Sequence, residues 1–152
     1  MASFKQKRIK KELMQLIKKP PPGISVDMSC IDNDLAQWTM KLDGFKNTLY
    51  DGESFKLLFR FVGEYPFESP IVTFTGDNIP IHPHIYSNGH ICLSILSTEW
   101  SPSLSVESVC ISIVSMLCSC RDKRRPPDDE RHVKFANENP KLTNWYFHDD
   151  SV

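Results

Sequence analysis

Between His82 and Pro102 the chain gathers the side chains best able to react or to bind metal: His82, His84, His90 and Cys92. Ser87-Asn88-Gly89 lies among them, and Trp100-Ser101-Pro102 follows. A free thiol titrates at about 8.5, so only a few per cent is thiolate at neutral pH, yet that fraction is strongly nucleophilic. Such a thiol can accept an acyl group as a thioester, which an amine can then attack. Of the five cysteines, Cys92 alone has turn-forming polar residues and histidines around it, a design suited to a presented thiol.

Three other readings compete. Zinc could take His82, His84, His90 and Cys92, but no standard paired-ligand spacing occurs and Pro83 constrains its two neighbours. Cys118 and Cys120 would point to different faces of a helix. No metal site is expected. A papain-like hydrolase needs a base held against the thiol and a third residue orienting that base. His90 falls on the same side as Cys92 if the backbone is extended. The activating helix start is missing, because Ser94-Ile95-Leu96 is only a short apolar run before more loop. The plainest reading is a small hydrophobe packed between Ile91 and Leu93. On these residues alone, nucleophile, ligand and packing all stay open.

The elements that must position this loop read as follows. Residues 4–18 form an amphipathic helix, with Ile9, Leu13, Leu16 and Ile17 on one face and Lys and Arg on the other. Pro20-Pro21-Pro22-Gly23 stops it. Residues 35–42 alternate around Trp38 as a strand, and Asp51-Gly52 signals a hairpin turn. In 54–62, Phe55, Leu57, Phe59 and Phe61 line one face and Lys56 and Arg60 the other, with Leu58 the one break. Residues 71–75 are a third strand. The connections are too short for parallel crossovers, so the strands form an antiparallel meander. Residues 78–102 lose periodicity and read as a long functional loop. Ser105 then caps a central helix with Val106, Val109, Cys110, Ile113, Leu117 and Cys118 on its apolar stripe. Arg121 and Lys123–Arg125 suit the C-terminal end of that helix, and Pro126-Pro127 close it. Residues 126–152 are polar, with one short helix at most. The expected class is α+β, an N-terminal helix and a central helix packed on an antiparallel sheet, with a shortened or irregular C-terminal part.

At 152 residues a single domain, 1–152, is expected, ending in the irregular segment 126–152. The net charge of −1 gives no global field toward nucleic acid or membrane, and neither is an expected partner. No apolar run reaches about 18 residues, and the first residues lack the apolar core of a secretory signal. A cytoplasmic and nuclear location is expected, where thiols stay reduced. Lys123-Arg124-Arg125 reads equally as a nuclear signal or as a helix cap.

The motifs together resemble those of the ubiquitin-conjugating enzymes, and most closely their W-type subfamily. Lys7-Arg8-Ile9-Lys10-Lys11-Glu12-Leu13 looks like the first-helix signature. Tyr65-Pro66-Phe67, His82-Pro83, Ser87-Asn88-Gly89, Ile91-Cys92-Leu93 and Trp100-Ser101-Pro102 follow in family order, with Trp100 eight residues after Cys92. The likeness spans nearly the whole chain and implies the ubiquitin-conjugating fold. It implies that Cys92 accepts the ubiquitin C-terminus from an ATP-using activating enzyme, so the chain needs no cofactor of its own. Transfer to an amine would follow, usually with a RING-type ligase. The resemblance assigns Lys7, Arg8 and Lys11 to contacts with activating enzyme and ligase, and Phe67, Trp100, Pro102 and Ser103 to the apolar ligase contact. Tyr65, Pro66 and His82 would shape the fold. A homodimer is compatible with the sequence. The rival from another class is an inactive scaffold of the same fold, against which Cys92 itself argues; a zinc-binding module is a distant third.

The departures from the family pattern bear on the acceptor. His84 stands where most members have an asparagine thought to support the loop or the oxyanion. Histidine can also donate a hydrogen bond, and W-type members share it. Asn88 is a further catalytic candidate in the same loop. Ser94 replaces an acid two residues after the cysteine, and Ser119 aligns with a second acidic position, with Asp122 or Asp128 as substitutes. Those acids prepare lysine, which titrates at about 10.4, against about 7.7–8.0 for an α-amine. Just above pH 7 the α-amine's advantage in neutral population is on the order of a hundredfold. Transfer to accessible protein N-termini, as monoubiquitination, is therefore expected, and the W-type resemblance implies the same. A loose tail would leave the cleft open, with Trp145, Tyr146 and Phe147 folding back or meeting a partner.

Overall fold

The computed structural model describes residues 3–31 and 35–143. Helix α1, Phe4–Lys18, begins with a capping box: the Ser3 hydroxyl accepts from the Gln6 amide, and the Gln6 side chain accepts from the Ser3 amide. Ile9, Leu13 and Leu16 are buried as the spacing requires, but Ile17 is 38 % exposed and Glu12 is buried instead. A carboxylate thus occupies the apolar stripe, and its partners are described below. Past the prolines, Gly23 takes a left-handed φ of 72° and leads into a strand absent from the expected set, β1, Ile24–Val26. Three residues are too few to show alternation in the sequence.

Strands β2 (Gln37–Asp43), β3 (Ser54–Arg60) and β4 (Ile71–Thr75) complete an antiparallel sheet in the order β1-β2-β3-β4. β2 starts later than the alternation suggests because Leu35 has a φ of 56°, outside strand geometry. Register sets Trp38 opposite Phe59, Met40 opposite Leu57, and Leu57 opposite Phe74, so the inner face is a continuous apolar layer. Leu58, the break in alternation, sits half-buried between Thr39 and Thr73 on the outer face.

Helix α2, Val106–Cys118, is capped by Ser105, whose hydroxyl accepts from the Ser108 amide. Val106, Val109, Cys110, Ile113 and Leu117 join the core, whereas Cys118, expected on the same stripe, is exposed. The basic run after α2 does not cap it. Lys123 pairs with Glu53 at 2.7 Å, Arg124 with Asp122 at 3.4 Å, and Arg125 donates to the carbonyls of Ile79, Pro80 and Ile85. Arg125 therefore braces the long loop.

That loop is irregular yet pinned. Isolated bridges join Ile85 to His82 and to Ile91, and Ser94–Leu96 forms one 3-10 turn. The C-terminal part holds the one short helix allowed for, α3, Asp129–Phe135, and Pro140–Leu142 is another 3-10 turn. Lys141 donates to the Ser69 carbonyl at 2.8 Å, tying this part to the end of the sheet. Segment 126–143 is docked on the domain, not loose. Trp145, Tyr146 and Phe147 lie outside the described residues. The architecture is α+β, as the pattern of elements indicates.

Candidate active site

The loop around Cys92 is organised from below by His82, which is fully buried. Its Nδ1 accepts from the His84 amide at 2.9 Å, and its Nε2 meets the Met116 carbonyl at 3.3 Å. These partners require the proton on Nε2. Burial, reinforced by the His84 ring, pulls His82 down to about 4, so the ring is neutral at physiological pH and serves as a brace. The His84 carbonyl in turn accepts from the Cys92 amide at 2.8 Å. His84 and Cys92 are thus adjacent across the loop, with the half-buried His84 ring 5.6 Å from that of His82. Asn88 is exposed, and its Oδ1 accepts from the His90 amide at 3.1 Å, which shapes the turn. Gly89 has a φ of 92°, and a Cβ there would lie 2.1 Å from the Phe74 carbonyl oxygen. Only glycine lets the loop press against β4, where the Phe74 amide donates to the Gly89 carbonyl.

Cys92 is 4 % exposed, which corrects the expectation of a presented thiol. Burial pushes the thiol up to about 11, and the Asp128 carboxylate adds to the shift. At pH 7 only roughly one thiol in ten thousand is then ionised. A high thiol pKa also makes a sluggish leaving group, so an acyl group carried there is slow to be lost.

Acids return to the site from elsewhere in the chain. The Tyr86 hydroxyl donates to both Asp128 oxygens, at 3.0 and 3.2 Å. Burial, and then this carboxylate, push the Tyr86 phenol up, so it remains the donor. Ser94 donates to Glu99 at 2.6 Å, drawing in a carboxylate five residues on. Ser119 is exposed at the end of α2, with its hydroxyl on the Met116 carbonyl, and Asp122 is exposed beside Arg124. Of Asp122 and Asp128, it is Asp128 whose charge acts on the thiol. The site is therefore not empty of acids, but both carboxylates already accept from hydroxyls.

The docking candidates form a separate edge, built on Glu12. That buried carboxylate accepts from Arg8 Nε at 2.9 Å, from the Tyr65 hydroxyl at 2.6 Å and from the Val106 amide at 2.7 Å. Arg8 also donates to the Pro102 and Leu104 carbonyls, at 3.1 and 2.8 Å. Arg8 therefore locks α1 to the loop that follows Trp100, besides presenting charge. Trp100 donates through Nε1 to the Pro66 carbonyl at 2.8 Å and is half-buried. Phe67 is 65 % exposed and stacks on Phe4, itself 63 % exposed, with ring centroids 6.0 Å apart. Lys7, Lys11, Pro102 and Ser103 are exposed along the same edge. Glu12 and Phe4 escaped sequence reasoning. The usable signal for Glu12 was an acid inside an apolar stripe, one turn from Arg8.

Among the described residues no three His, Cys, Asp or Glu side chains are grouped to hold a metal. No helix among them is long and apolar enough to cross a membrane.

With this geometry in hand, comparison with known proteins is specific. A family model described as ubiquitin-conjugating enzyme matches residues 8–146. The chain is 56 % identical over 151 residues to a probable ubiquitin-conjugating enzyme E2 W-A of Danio rerio, covering 99 % of each. It is 53 % identical over 152 residues to ubiquitin-conjugating enzyme E2 W of Caenorhabditis elegans, covering 100 % of each. The crystal structure of ubiquitin-conjugating enzyme E2 UbcA1 from Agrocybe aegerita superposes with a TM-score of 0.85 at 44 % identity, covering 92 % of this chain and 100 % of that one.

Proposed function

The chain belongs to the ubiquitin-conjugating enzyme family, and on that premise we propose that Cys92 carries ubiquitin as a thioester and passes it to protein N-termini. The observation that carries the reading is the position of Cys92 at the centre of the braced loop, its amide on the His84 carbonyl and its thiol under the influence of the Asp128 charge. In the loading step the Cys92 sulfur attacks the thioester carbonyl on the activating enzyme. A new S–C bond forms, the activating enzyme's thiol leaves, and the Cys92 proton is passed to it through base or solvent. In transfer, a neutral amine attacks the same carbonyl and the Cys92 sulfur leaves, while the amine's extra proton goes to Asp128 or water. His84 is the nearest candidate to support the oxyanion, with Asn88 holding the turn. ATP is used upstream, and the chain needs no cofactor.

Preference for α-amines is supported by Ser94 in place of an acid, by His84, and by likeness to relatives named E2 W. Asp128 and Glu99 use acceptor capacity on Tyr86 and Ser94, which leaves less for an incoming ammonium. The edge of Phe67, Trp100, Pro102 and Ser103, flanked by Lys7, Arg8 and Lys11, suits a RING-type ligase and the activating enzyme. The test offers charged enzyme two peptides: one with a free N-terminus and no lysine, one with a blocked N-terminus and one lysine. Near pH 7 the first is expected to react faster by up to about a hundredfold. Equal transfer to the lysine peptide overturns the preference. A second reading, a non-catalytic scaffold of the same fold, draws on the burial of Cys92; it requires that no ubiquitin adduct form at all.

A further inference from the structure

Helix α3 is joined to the loop that carries Cys92 by contacts that the transfer chemistry does not itself use. His132 is buried and stacks on the Tyr86 ring, centroids 3.8 Å apart and planes within 23°. Its Nε2 lies 3.0 Å from His90 Nδ1, and the Glu138 main chain accepts a hydrogen bond from the His90 ring. Beside this clasp the Ser87 amide donates to Asp129 at 2.8 Å and the Tyr86 hydroxyl holds Asp128. A helix of seven residues has little stability of its own, so its place depends on such contacts.

We propose that His132 is a positioning residue for transfer from Cys92: by stacking on Tyr86 and bonding His90, it keeps the start of α3 where Asp128 sits on the Tyr86 hydroxyl beside the thiol. The inference rests on Cys92 being the thioester residue. The facing nitrogens share one proton between them, so the clasp needs at least one neutral ring. The charged and titratable groups around it are Asp128 and Asp129 from α3 and its cap, Arg60 from β3, and Tyr86 and Cys92 from the loop. Burial, the larger effect, and the opposing ring hold His90 at about 4, and burial lowers His132 against the pull of Asp128 and Asp129.

The test is the pH dependence of Cys92 alkylation by iodoacetamide in the full chain, followed peptide by peptide because Cys30 and Cys118, unlike Cys92, are exposed and react as well. Asp128→Asn removes the neighbouring charge and is expected to raise the alkylation rate at pH 7.5 several-fold. His132→Ala is expected to give a similar rise, and the double variant no more than about twofold beyond Asp128→Asn alone. Tyr86→Phe, which keeps the ring and loses only the hydroxyl, is expected to follow Asp128→Asn even if His132→Ala fails to fold. His132→Gln, which can still donate to His90, is expected to recover part of the wild-type profile. Multiplying effects of His132→Ala and Asp128→Asn, or an unchanged profile in Tyr86→Phe, would overturn the proposal. Alkylation needs no activating enzyme. A failed adduct assay with these shifts intact therefore sinks only the thioester reading, and a successful one without them sinks only the clasp.

Discussion

The α1 edge and the α3 face hold neighbouring loops by opposite means. At the α1 edge one buried carboxylate, Glu12, gathers a guanidinium, a phenol and a main-chain amide. At the α3 face neutral rings, Tyr86, His132 and His90, do most of the joining, with carboxylates only at the margin. The first arrangement is costly to break, because removing its hub leaves three donors without an acceptor. The second is cheaper to break and responds to protons, and it lies next to the loop that carries Cys92.

The largest effect is expected at the charged hub. Glu12→Ala should lose about 3–5 kcal/mol in denaturant unfolding, the range for stranding a buried ionic partner. A loss below about 1 kcal/mol would show that the edge is held by packing alone. Next comes Gly89→Ala, whose Cβ would meet the Phe74 carbonyl from a left-handed φ. It should cost about 1–3 kcal/mol or more and impair loading of Cys92 in the same variant. Normal stability and loading would mean that the loop does not need its close approach to β4.

The contrast sharpens with pH. His82 and His90 sit at about 4 and His132 is lowered, so the folded protein keeps them neutral where the unfolded chain, at about 6.5, takes up protons. Stability should therefore be level above about pH 6.5 and fall as pH drops from there toward 4. His132→Gln should soften that fall, whereas a variant at the α1 edge should not; matching slopes would erase the distinction between the two regions. The smallest stability effect is expected for Phe67→Ala, within about 0.5 kcal/mol because the ring is exposed. Its ligase-stimulated transfer should fall while transfer without ligase is kept. An unchanged ligase response would remove Phe67 from the docking edge.

The two regions also differ in how far the sequence discloses them. β3, β4 and α1 are legible because alternation and helical spacing are local properties. The proposed docking edge follows from motif order, and the role proposed for Cys92 from its setting between Asn88 and Trp100. What stays hidden depends on contacts distant in sequence. The burial of Cys92 and the arrival of Asp128 both need α3 folded back across the loop, and a seven-residue helix with only Val133 and Phe135 apolar shows no periodicity that announces it. Tyr86 meets Asp128 across 42 positions, as His90 meets His132. The basic residues after α2 mislead for the same reason: Arg125 answers loop carbonyls about 40 or more residues upstream, not the helix before it.

The most direct test of the central claim is incubation with activating enzyme, ATP and ubiquitin, read on a gel without reductant. An adduct cleaved by added thiol is expected on the wild-type chain, replaced in Cys92→Ser by a thiol-resistant ester. No adduct, or a thiol-sensitive one that survives Cys92→Ser, would contradict the account.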